Sequence, residues 1–176
     1  MKEKCISHIN GIKELLDSVA VDGDGDGDGA IWNDSEWTKQ IKNRVCTLGK
    51  RYRYWVYASS CDGTDGGEWL YDITWLNYSG KKLIDVELVL ESEWKKNGID
   101  DDFQKLLLAR AELRVMVFQS RNKKEASKKL ENLIDQIKKF SRSESKDVYL
   151  LSCWLSDIRE FYHKEFVLGR SQNLVN

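Results

Sequence analysis

Apolar residues along the first half of the chain change their spacing once, and the change marks a new kind of element. Ile6, Ile9, Ile12, Leu15, Leu16 and Val19 recur at helical spacing and predict a first helix. Trp37, Ile41, Val45 and Leu48 make a second helical stripe, from about Asp34 to Leu48. Asn33 followed by Glu36 has the form of a capping box, and Gly49 is a natural stop. The period then falls to two. Tyr52, Tyr54, Val56 and Ala58 alternate within Arg51–Ser60, and after the Asp62–Gly67 turn two further strand-like segments follow, Glu68–Leu76 and Leu83–Trp94. A short turn at Ser79-Gly80 joins them.

Helical spacing returns with Phe103, Leu106, Leu107 and Arg110, behind a cap offered by Asp101 and Gln104. Leu113–Gln119 reads as a short apolar strand. Asn122 with Glu125 opens a helix through Leu130, Leu133, Ile134 and Ile137, and Ser141–Lys146 is a polar loop. Val148–Trp154 and Phe161–Leu168 complete the series as strands. The order α-α-β-β-β-α-β-α-β-β implies an α/β or α+β fold, one sheet flanked by helices.

Length and composition narrow the class without choosing a function. A chain of 176 residues suits a single domain. Within it, residues 1–33 supply a helix and an Asp-Gly loop, 34–118 a central core, and 119–176 a last helix and strands. Hydrophobic residues make up 41% and charged residues 32%, an ordinary soluble balance. No apolar run approaches the roughly 18 residues of a membrane span, and no apolar signal core follows the N-terminus. A cytoplasmic protein with no membrane partner is expected, and homo-oligomeric assembly is left open. Cys5, Cys46, Cys61 and Cys153 lie far apart with only His8 and His163 to join them, a pattern of reduced, mostly buried thiols rather than a zinc site. The net charge of −1 means that any nucleic-acid surface must be a local patch.

The chemistry concentrates on the second and third strands. Asp72 lies on the first of these segments, while Glu91 and Glu93 stand two apart at the end of the other and so share a strand face. A carboxylate on each of two neighbouring strands is a way to hold a hard divalent cation beside a phosphate. The register matters. A tight turn centred on Ser79-Gly80 sets Asp72 opposite Glu87 or Leu88, and only a shifted loop or a bulge brings it to Glu91. Glu87 is therefore a reserve ligand.

The helix, three-strand meander, helix and strand from Asp34 to about Phe118 resemble the PD-(D/E)xK nuclease superfamily, with its restriction-endonuclease-like fold. Tyr71-Asp72 stands in the place of the Pro-Asp pair, and Glu91-Ser92-Glu93 in that of the acid-x-lysine element. The resemblance implies a magnesium- or manganese-dependent nuclease hydrolysing phosphodiester bonds, with DNA as the expected partner. Asp72 and Glu91 would share Mg2+, the Ser92 carbonyl being a further donor. Glu36, early in its helix, would complete the acidic cluster. The family's lysine position holds Glu93, which would orient the attacking water or bind a second metal. Lys105, on the following helix, is the candidate for a migrated lysine.

Two other readings accompany this one. A non-catalytic relative would serve as an interaction or nucleic-acid-binding module. The spacing Asp24-x-Asp26-x-Asp28-Gly29-x-Ile31 matches the opening of an EF-hand loop between two helices, and suggests a calcium-binding helix-loop-helix protein. Its twelfth position, however, is Ser35, with Glu36 one place late.

Overall fold

A computed structural model describes residues 3–23 and 33–169. Among them, four helices and one six-stranded mixed sheet alternate in chain order: α1 (Glu3–Gly23), α2 (Asp34–Arg51), β1 (Trp55–Ala58), β2 (Ile73–Ser79), β3 (Lys82–Glu93), α3 (Ile99–Leu108), β4 (Leu113–Ser120), α4 (Lys123–Lys139), β5 (Val148–Leu155) and β6 (Glu160–Val167). The expected EF-hand-like segment falls on residues outside this description.

The strands lie side by side in chain order. β1, β2 and β3 form an antiparallel meander; β3, β4 and β5 run parallel, and β6 returns antiparallel. Each parallel step needs a crossover, and α3 and α4 provide them. Both steps advance in the same direction across the sheet, so the handedness rule puts both helices on one face. There Val89, Met116, Phe118, Tyr149 and Leu151 pack against Phe103, Leu106, Leu130, Leu133 and Ile137. The opposite face carries Val56, Ile73, Trp75, Leu88, Leu90 and Val115 against Ile9, Ile12 and Leu16 of α1 and Trp37, Ile41 and Val45 of α2. β5 is covered on both sides, which is why all eight of its residues are buried and its sequence does not alternate.

Several element boundaries differ from the sequence reading, each for a local reason. α2 runs through Gly49 to Arg51. Gly49 does not end the helix: a Cβ there would lie 2.5 Å from Trp75 Nε1, so the glycine serves close helix–sheet contact. The first strand is correspondingly short. Residues 68–72 form no regular strand, because Leu70 has φ 70 and the chain bends there between a bridged Trp69 and Tyr71. Asp72 therefore sits just before β2, not within it. α3 starts at Ile99 behind Gly98, without the expected Asp101 cap, and ends at Leu108. The Asn33 and Asn122 caps form as read, each side chain accepting from the N–H three residues on, at 3.0 Å.

Candidate functional site

The register that unites the carboxylates is made by irregularity. Ser79 pairs with Lys82 around the two-residue loop Gly80-Lys81, where Gly80 at φ 60 suits the first position of a tight hairpin turn. An unbroken ladder from that turn would set Asp72 opposite Val89. Two irregularities, between Trp75 and Leu76 and between Asn77 and Tyr78, each advance β3 by one residue, so that Ile73 faces Leu90. The next pair outward is Asp72 and Glu91. Glu87, the reserve ligand, is used elsewhere: it is buried and ion-paired with Lys4 of α1.

Asp72 is anchored from two sides. Its Oδ2 accepts the Ser92 N–H at 2.9 Å, and its Oδ1 lies 3.3 Å from Lys42 Nζ of α2. Lys42 is itself buried, donates to Ser59 Oγ at 3.0 Å and approaches Glu68 at 3.7 Å. Glu91 is 2% exposed. Lys105 Nζ stands 3.3 Å from Glu91 Oε1 but only 2.7 Å from Asp102 Oδ1. The ammonium supplies Glu91 with charge at ion-pair distance, while alignment favours Asp102, and Glu91 Oε1 has no hydrogen-bond partner.

Burial and the neighbouring Asp72 charge push the Glu91 carboxyl up to about 8, with Lys105 opposing. Asp72 is also raised by burial, against the pull of Lys42 and of the Ser92 N–H. Lys105 is raised by Asp102 and Glu91 and stays charged at neutral pH. The site thus contains a carboxyl group that its surroundings do not let ionise easily. A cation placed between the two acids would relieve that penalty. Glu91 Oε1, buried, without an aligned donor and 3.3 Å from the Lys105 ammonium, is the oxygen that could take part in holding one.

The remaining expected residues take other positions. Glu93 shares the strand face of Glu91, yet its Oε1 accepts the Lys95 N–H at 2.7 Å, bracing the loop to α3; a Cβ on Gly98 would overlap its carboxylate. Glu36 accepts from Gln40 of its own helix at 2.8 Å. Among the described residues no three His, Cys, Asp or Glu side chains converge as a metal-holding group, so the three-carboxylate cluster with Glu36 does not form. Lys105 lies in the second turn of α3 and reaches Glu91. The residue missed from sequence is Lys42. Its one signal was its place beside Ile41, on the flank of an apolar stripe where few lysines are buried.

No family model matches the chain, and no curated protein or solved structure matches it. Among the described residues no helix is long and apolar enough to cross a membrane.

Proposed function

We propose that the protein is a metal-dependent nuclease of restriction-endonuclease-like fold that hydrolyses phosphodiester bonds in DNA. The observation that carries this reading is the convergence of Asp72, Glu91 and Lys105. They come from the segment before β2, from β3 and from α3, and meet at the carboxyl end of β3, the end of an open α/β sheet where ligands bind. An antiparallel meander, a crossover helix and a parallel strand, in that chain order, also agree with the superfamily's core.

Asp72 and Glu91 would hold Mg2+ or Mn2+, a cation that is content with one or two carboxylates and keeps several waters. When bound, such an ion lowers the pKa of a coordinated water and screens charge on the scissile phosphate. The chain's own groups do the rest. The Ser92 N–H and Lys42 fix the orientation of Asp72. Lys105 stands beside Glu91 and stabilises negative charge developing on the phosphate, the task of the lysine that Glu93 displaces from its usual position. Asp102 holds the Lys105 ammonium in place and keeps it charged.

Lys42 favours a second reading. With Lys42 at 3.3 Å and the Ser92 N–H at 2.9 Å, Asp72 is already well satisfied. This suits a non-catalytic nucleic-acid-binding module. Incubating the protein with single- and double-stranded DNA in Mg2+ or Mn2+ decides between them. Cleavage abolished by Asp72→Ala and by Glu91→Ala supports the nuclease; DNA binding without cleavage in either metal supports the module. Calcium binding lost in Asp24→Ala would point to the helix-loop-helix alternative instead.

A further inference from the structure

On the face of the sheet that carries Glu91, α3 and α4 cover β3 to β6, and the β1–β2 end is left to aromatic side chains. Trp55 is 48% and Trp69 41% exposed, although tryptophan is usually well covered. Strand alternation puts Trp55 and Tyr57 opposite the buried Val56 and Ala58, on the Glu91 face. Trp55 meets Tyr78 at 5.7 Å, Tyr57 meets Trp69 at 6.0 Å, and the Tyr57 and Tyr78 phenol groups neighbour each other. The ring pairs are inclined at 66° and 49°, and it is the two tryptophans that stand most exposed in the row. Gly66 keeps the loop after β1 tight against Tyr57: a Cβ there would lie 2.7 Å from the ring. At its near end the row joins Tyr71, whose hydroxyl feels the Glu91 and Lys105 charges.

Charge complements this row. Arg53, Lys81 and Lys82 are exposed at the far end, around the β2–β3 hairpin tip and the approach to β1. None forms an ion pair among the described residues. Of the nearby acids, Asp65 is held by Lys50, Glu68 by Ser59 and Lys42, and Asp85 by the Val86 N–H, while Asp62 of the same loop is exposed. In a chain of net charge −1, three unpaired cations near exposed rings make a local patch for an anionic polymer.

We infer that the Tyr78–Trp55–Tyr57–Trp69 row is a stacking platform for single-stranded nucleic acid, leading from the basic hairpin tip to the Asp72–Glu91 site. The inference rests on the nuclease reading for its choice of ligand. Unpaired bases offer faces to such rings, whereas a duplex keeps its bases stacked on each other. From Ser79 to Asp72 the platform spans roughly 24 Å at about 3.4 Å per residue, room for several nucleotides. The occupant is therefore a single strand or a frayed end, delivered to the carboxylates.

The test is binding in EDTA, where no cleavage interferes, read by fluorescence anisotropy of a labelled oligothymidylate of about 20 nucleotides and of a duplex of equal length. The wild type should bind the single strand about tenfold or more tightly than the duplex. Trp55→Ala and Trp69→Ala should each weaken it about tenfold, the scale of one lost base–aromatic stack. Lys81→Glu with Lys82→Glu, on an exposed hairpin tip, should weaken binding and flatten its salt dependence even if an aromatic variant folds poorly. Equal or tighter duplex binding, or Trp55→Ala binding like wild type, overturns the platform. So does a homodimer through this face that Trp55→Ala dissociates and that does not bind the oligonucleotide. Trp55-dependent binding with no metal-dependent cleavage upholds the platform and retires the nuclease. Duplex cleavage with binding indifferent to Trp55 does the reverse.

Discussion

Glu91→Gln removes one charge from a buried position while keeping the side chain's shape. In the folded protein the Glu91 carboxyl titrates at about 8 rather than the ordinary 4.5, because burial and Asp72 disfavour its ionised form. A proton held by the folded state and released on unfolding makes stability fall as pH rises. The contribution is fully present below about pH 4.5 and lost as pH climbs through 8. Carried in full, that gap of some 3.5 pH units corresponds to about 5 kcal/mol. Structural relaxation and the solvent-exposed Lys105 partner reduce it, and about 2 kcal/mol is expected. In urea denaturation with EDTA, Glu91→Gln should match wild type near pH 5 and exceed it by about 2 kcal/mol near pH 8.5. In thermal melts the gain is about 4–8 °C for a chain of this size. Millimolar Mg2+ should raise the wild-type melting temperature and leave that of Glu91→Gln unchanged. A glutamine variant no more stable than wild type at pH 8.5 would refute the reasoning, for it would mean that Lys105 already compensates the Glu91 charge. The site would then have no unmet demand for a cation.

Lys105→Ala should slow DNA cleavage by about a hundredfold or more while Mg2+ binding by calorimetry persists, since a lysine is not a ligand; Glu93→Lys in that background should partly restore cleavage. Lys42→Met should lower stability in EDTA by about 2 kcal/mol, leaving Asp72 without its buried partner, and should at the same time tighten Mg2+ binding. Stability and metal affinity moving together in that variant would show that Lys42 does not compete with the ion. Gly49→Ala should cost more than about 2 kcal/mol in chemical denaturation despite alanine's better helix propensity, because the new methyl meets Trp75. An unchanged or increased stability would mean that α2 can move away from the sheet.

The helices and strands were legible because their periods are set by local geometry that one chain segment expresses alone. The stripe of Leu130, Leu133, Ile134 and Ile137 and the caps Asn33 and Asn122 are of this kind. So was the pairing of the two strand-like segments about a turn, since a glycine at φ 60 and flanking β-formers are local signals. What lay beyond the sequence were relations between segments. Whether Asp72 meets Glu87, Val89 or Glu91 depends on two bulges, and a bulge is decided by how both faces of β3 pack at once. Leu88 and Leu90 must face α1 and α2 while Val89 faces α3. Gly49 read as a helix stop because its need for closeness comes from Trp75, a residue 26 positions on. Lys42 acquires its role only because α2 lies across the sheet and brings its ammonium to Asp72. Local spacing determined which elements form. Packing decided which charges meet, because the energy of a buried carboxylate is set by neighbours that sequence distance does not reveal.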